Sequence, residues 1–150
     1  MKKIIPLILT LIISSCATTY KVSSKSYDYN NAVSFSIDKI QEGQMIKTGT
    51  GSYSPGKGNK FVYVYITFQN NLNKKQNLNF NSFSILNKRT KTKYKLQWVM
   101  LNSPINIWSQ KDSYINKEGK KKRMLVFTLP IQDKAEFLMV KDSVIEIEYF

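Results

Sequence analysis

The chain has 150 residues, one cysteine, no histidine, and 23 lysines and arginines against 10 acidic residues, for a formal net charge of +13 at neutral pH. That length supports one domain with a modest core and is too short for two good ones. Without histidine the usual general base near neutral pH and the commonest transition-metal ligand are missing, and a lone cysteine closes no disulfide within the chain.

Met1-Lys2-Lys3 is followed by an apolar run from Ile4 to Ile13 and then by Ser14-Ser15-Cys16. Basic residues, a short apolar run and small residues form the layout of a secretory signal. The run is well short of the roughly 20 apolar residues that cross a bilayer and contains Pro6, so a permanent span is not expected. Ile13-Ser14-Ser15-Cys16 resembles the lipobox of bacterial lipoproteins. That resemblance implies cleavage between Ser15 and Cys16, a diacylglyceryl group on the Cys16 sulfur, and acylation of the new amino terminus. Lipidation also explains an otherwise unpaired thiol in an exported chain. Each buried CH₂ adds roughly 0.8 kcal/mol, so two or three acyl chains hold firmly where one does not. The expected location is the cell envelope, anchored to a membrane. Ala17 after the lipidated residue agrees with outer-membrane sorting in a two-membrane envelope, facing either side. Loss of residues 1–15 removes two lysines and lowers the formal charge to +11.

From Ala17 to Asn31 the residues are largely Thr, Ser, Lys, Tyr and Asn without an apolar period. Residues 16–31 are therefore predicted to be a lipidated flexible tether, and residues 32–150 the folded domain. Period-two alternation dominates from there on. Val33, Phe35 and Ile37 alternate with polar residues, and Gly49 to Gly58 is rich in turn formers. Phe61 to Phe68 is the strongest strand. Its even positions, Val62, Val64, Ile66 and Phe68, should face the core, and Tyr63 and Tyr65 on the other face should be half covered. Leu78 and Phe80 give way to Phe83 and Ile85, a change of phase that predicts a bend or bulge. Thr92 to Val99 extends again, Leu101 to Lys122 is the least regular stretch, and Met124 to Leu129 is a strand ended by Pro130. Phe137 to Val140 and Ile145 to Tyr149 read as a final hairpin. About eight short strands with polar turns predict an all-β, antiparallel two-sheet sandwich.

The stretch Gly58-Asn59-Lys60 through Phe68-Gln69-Asn70-Asn71, then Phe83-Ser84-Ile85-Leu86, Lys93-Tyr94, Gly119 and Leu125 to Pro130, resembles a group of bacterial extracytoplasmic domains. These are immunoglobulin-like (telokin-like) domains related to a secreted mycobacterial protective antigen. The resemblance spans residues 33 to 150 and implies a two-sheet immunoglobulin-like sandwich. It carries over no catalytic residue.

Chemistry is poorly provided for. With Cys16 acylated no thiol is left as nucleophile or zinc ligand, carboxylates show no calcium-loop spacing, and no phosphate-cradling glycine motif occurs. No catalytic residue, metal or cofactor is expected. Binding residues are sought instead among aromatic side chains, which make good anchors: Trp98, Trp108 and Tyr114 in the irregular stretch, and Tyr63 with Tyr65 on the strand face. Lys120, Lys121, Lys122 and Arg123 are the candidate anion contacts. The leading expectation is a membrane-anchored, non-catalytic binding or scaffold module for an envelope protein or an acidic polymer, with no role for nucleic acid. The alternative is a structural lipoprotein whose basic face rests on anionic membrane or polysaccharide, and third comes an envelope enzyme using paired carboxylates.

Overall fold

A computed structural model of the chain describes residues 17–103 and 107–150. The expected signal sequence, Ser15–Cys16 cleavage and Cys16 lipid attachment fall on residues outside the described ones. The strands are, in chain order, Thr18–Tyr20 (β1), Ser26–Asp28 (β2), Val33–Gly43 (β3), Ile46–Thr48 (β4), Gly51–Tyr53 (β5), Asn59–Asn70 (β6), Gln76–Asn79 (β7) and Phe83–Leu86 (β8). They continue with Lys93–Lys95 (β9), Trp98–Leu101 (β10), Ile107–Ser109 (β11), Asp112–Ile115 (β12), Lys120–Pro130 (β13), Phe137–Val140 (β14) and Ser143–Glu146 (β15).

One layer is a seven-stranded antiparallel sheet in the order β1-β3-β6-β13-β10-β11, with β2 also paired to β3. The facing layer consists of the β15-β14-β8-β9 sheet and the β12-β7 pair. The main core lies between the layers, as alternation requires. Val62, Val64, Ile66 and Phe68 of β6 and Leu125, Phe127 and Leu129 of β13 are all fully buried in it. Each such side chain contributes about 1.5–3 kcal/mol by leaving water. Phe35, Phe68 and Phe83 pack mutually with ring centroids 5.7–5.9 Å apart, a spacing that favours edge-on contact.

Two phase changes in the apolar pattern have local causes. In β3 the register against β6 shifts between Ile37 and Lys39. This bulge lets Ile37 and Ile40, three residues apart, both reach the core. Between β7 and β8 the change is absorbed by a 3₁₀ turn at Phe80–Ser82, whose Asn79 cap accepts a hydrogen bond from the Asn81 N–H. Phe80 and Phe83 are both buried as a result. The Asn70 side chain fixes the turn after β6. It is fully buried, donates to the carbonyls of Lys74 and Asn116 at 2.7 and 2.8 Å, and accepts from the Leu72 N–H at 3.0 Å.

The predicted tether is corrected by the fold. Residues 18–20 and 26–28 are strands on the edge of the large sheet, and Val22 and Tyr29 are buried in the core. The Tyr29 ring stacks on Phe83 at 5.9 Å. The folded unit therefore includes residues 18–31 and not only those from 32 onward. Edge strands pair on one side only and bury few side chains, so a polar sequence suffices for them.

Candidate functional site

The outer face of the large sheet is not bare. The β4–β5 hairpin, which occupies part of the turn-rich 49–58 segment, folds over it and encloses a second small core of Ile46, Phe61, Tyr63, Met100, Met124 and Val126. The absence of a side chain at Gly43 lets the Tyr63 ring lie across it, since a Cβ there would sit only 3.1 Å from the ring. The Tyr63 hydroxyl donates to the Met45 carbonyl at 3.0 Å. Tyr63 is thus a buried structural residue and not half covered, and burial raises its pKa. Tyr65, one step along the same face, stays partly exposed with the Lys39 ammonium 4.2 Å from its ring centroid. Its pKa is also raised by burial.

Trp98 and Trp108 come together on this outer face. Register places Trp108 beside Met100, and Met100 beside Met124. The two indoles meet edge-on at 5.0 Å, and Tyr53 of the hairpin touches both at 5.9 and 5.4 Å. Trp98 rests on Phe61 at 5.5 Å. The inner part of this cluster completes the second core, while Trp108 and Tyr53 remain open to solvent. Tyr53 was not among the aromatic candidates; no period-two signal marks it, because only its hairpin partner Ile46 is buried.

Tyr114 is not part of the tryptophan cluster. It lies on β12 in the other layer, with Lys75 3.4 Å and Lys121 4.9 Å from its ring centroid. The run Lys120-Lys121-Lys122-Arg123 does not form one basic surface either, because a strand sends alternate side chains to opposite faces. Lys120 and Lys122 are exposed, and their parity with Met124 sets them on the outer face. Lys121 turns inward to donate to the Ser113 hydroxyl at 2.9 Å and to the Tyr114 carbonyl. Its pKa is lowered, first by burial and then by Arg123 and Lys75. Arg123 is half buried, with its pKa lowered by burial and one amino group donating to the Lys122 carbonyl at 2.8 Å.

The strongest basic concavity is one that sequence reading did not single out. Lys93, Lys95, Lys111 and Lys141, with Ser84 and Asp142, line a cleft of about 520 Å³. It lies where the chain crosses between layers, at Leu96 and Lys111. Lys111 donates to the Leu96 carbonyl at 3.3 Å and Lys141 to the Tyr29 carbonyl at 3.4 Å. Lys141 holds a left-handed φ of 55°, a conformation unusual for lysine. It also borders a second cleft of about 540 Å³ lined by Asn30, Asn77, Asn79, Asp112 and Ser113. The Ser84 hydroxyl, buried at the first cleft, has no hydrogen-bond partner among the described residues. These lysines are up to 48 positions apart in sequence, so no local motif announces them.

Several carboxylates are already engaged. Lys60 donates to Glu42 at 2.8 Å with both side chains largely buried, and Tyr94 donates to Asp133. Among the described residues no three of Asp, Glu, Cys and His gather as a metal site would require, and no helix is long and apolar enough to cross a membrane.

Taken together, these features define an antiparallel two-sheet β-sandwich domain, free of α-helix among the described residues, with an aromatic outer face and a separate lysine-lined cleft. The profile of a domain of unknown function, DUF4352, matches residues 20–147, and the chain belongs to that family. No curated protein matches it. Among solved structures it is similar to a conserved hypothetical protein from Bacillus anthracis, with a TM-score of 0.64 and 13% identity over 89% of this chain and 96% of that one. An uncharacterized β-sandwich protein from Clostridium difficile 630 gives 0.54 and 12%, over 77% and 82%. A proposed lipoprotein from Bacillus subtilis gives 0.50 and 10%, over 85% of this chain and 38% of that one. At such identities the likeness shows the fold.

Proposed function

We propose that this chain is a lipid-anchored binding module of the cell envelope that holds an acidic polymer without catalysing a reaction. The lipobox-like Ile13-Ser14-Ser15-Cys16 supports the anchor, as does the likeness to a proposed lipoprotein. The observation that carries the binding role is the cleft with four lysines and a single carboxylate. Lysine presents a compact point charge on a flexible stem, suited to repeated carboxylate or phosphate groups of variable spacing rather than to one planar ligand. The overall positive charge speeds capture of such a ligand at low salt. A protein partner would have to present acidic side chains to the same cleft.

Binding of polygalacturonate and of polyphosphate to the domain, titrated at several salt concentrations, tests this reading. Lys95→Gln combined with Lys141→Gln should weaken binding about tenfold, or about 1.4 kcal/mol. Lys120→Gln with Lys122→Gln, which removes the same charge from another face, should leave affinity nearly unchanged at matched salt. Equal losses from both pairs would mean diffuse attraction and no cleft.

A further inference from the structure

We infer that the outer face of the large sheet lies against the bilayer, with its aromatic edge seated in the interfacial region. This rests on the reading that Cys16 carries the lipid anchor. Ala17 lines a pocket of about 160 Å³ with Met45, Tyr63, Tyr65 and Met124, all on the outer face or the hairpin covering it. Ala17, the residue next to the proposed attachment point, is therefore on this face.

The same face exposes the side chains that favour a lipid interface. Met45, Tyr53 and Trp108 are 45%, 38% and 36% exposed. Tryptophan and tyrosine concentrate where lipid headgroups meet acyl chains, because their rings are apolar and carry a polar edge. Charge agrees. Lys39, Lys120 and Lys122 stand on this face, and lysines beside a membrane are drawn to anionic headgroups. Its carboxylates, Asp28 and Asp38, lie toward the end away from the hairpin, and Asp38 accepts a hydrogen bond from Thr67 at 2.7 Å. Glu42 is turned inward to Lys60.

Five strand spacings of about 4.8 Å separate the β1 edge from β11, so the anchor edge and Trp108 stand about 24 Å apart. A lipid at one edge and an aromatic wedge at the other fix the tilt of the domain, which a single tether cannot do. The lysine-lined cleft, on the flank and the other layer, is left free.

Trp98 and Trp108 are the only two tryptophans, so intrinsic fluorescence reports on this face alone. Natively produced protein is incorporated into vesicles of phosphatidylethanolamine and phosphatidylglycerol, with and without lipids brominated near the headgroup end of the acyl chain. A second sample, the chain from Cys16 onward, is coupled through its thiol to a maleimide lipid, so that an anchor is present whether or not the cell supplies one. Docking predicts a blue shift and roughly two-fold quenching by bromine in both samples, as expected for side chains about 5–10 Å below the surface. Met45→Glu with Tyr53→Glu, both at exposed positions of this face, should abolish the quenching while leaving the circular dichroism spectrum unchanged. Anchored protein whose emission neither shifts nor is quenched would overturn the inference. So would tryptophans shielded from iodide in a concentration-dependent way without vesicles, since a second copy would then cover the face. Mass spectrometry reports separately on acylation: a bare Cys16 sinks the anchor reading while the maleimide sample still decides the docking.

Discussion

Ile46→Ala should lift the β4–β5 hairpin off the sheet. Ile46 is 1% exposed and packs among Phe61, Tyr63, Met100, Met124 and Val126. Truncation to alanine removes three carbons, about 2.4 kcal/mol of transfer free energy at roughly 0.8 kcal/mol each. Incomplete closure of the cavity raises this to about 3–4 kcal/mol. One polar fastening to the sheet is the Tyr63 hydroxyl on the Met45 carbonyl, worth about 1 kcal/mol. A two-stranded hairpin has little stability of its own. The hairpin should therefore detach locally before the sandwich unfolds, which caps the global loss below the full cavity cost. Tyr53 then leaves Trp98 and Trp108, both of which it touches within 6 Å. Tryptophan emission should move to longer wavelength in the absence of denaturant, and amide protection should vanish across residues 46–53 while β6 and β13 stay protected. A variant with wild-type emission, wild-type exchange in the hairpin and an unchanged urea midpoint would refute the argument.

Other perturbations test the rest of the frame. Asn70→Asp sets a carboxylate against the carbonyls of Lys74 and Asn116 and removes both donors; urea unfolding at neutral pH should show a loss of about 3 kcal/mol. Part of that loss should return as the pH falls and the new acid protonates. Glu42→Gln breaks the largely buried pair with Lys60 and should cost about 3 kcal/mol, whereas Glu42→Leu with Lys60→Met should return to within about 1 kcal/mol of wild type. Alkaline pH should unfold the domain. Burial raises the pKa of Tyr63, Tyr65 and Tyr149 above the ordinary 10.0, so the unfolded chain sheds these protons first. Their stabilisation is full below pH 10 and is lost as pH rises through the folded values. Lys121 and Arg123, with lowered pKa values, work in the opposite sense, but they are two groups against these three tyrosines and against Tyr20 and Tyr94, which are raised as well. Tyrosinate absorbance should rise together with loss of the β-sheet circular dichroism signal; tyrosine ionisation completed in a folded protein would contradict this.

How far the structure could be read from the chain depended on how many neighbours each strand has. β6 and β13 pair on both sides and bury alternate residues against the other layer, so their pattern was plain. The 80–83 phase change was equally visible, since two buried phenylalanines three residues apart require a local turn. β1 and β2 were missed because each pairs only with β3 and the segment commits little beyond Val22 and Tyr29 to the core. The lysine-lined cleft was invisible for a different reason. Its four lysines come from β9, from the crossing at Lys111 and from the β14–β15 turn, and in a chain this basic no spacing among them stands out.

The outer face shows where strand patterning stops being informative. Tyr63 and Tyr65 occupy the same face of the same strand, and no property of β6 distinguishes them. Their fates diverge because a hairpin from outside the strand covers one and leaves the other half open beside Lys39. The same hairpin props Tyr53 against the two indoles, so it both hides one predicted binding residue and supplies one that was not predicted. The surface available for contact on a sandwich is thus decided by whatever folds back over it. For this reason the Ile46 anchor of the hairpin, and not any single exposed ring, controls whether the aromatic edge exists as a surface at all.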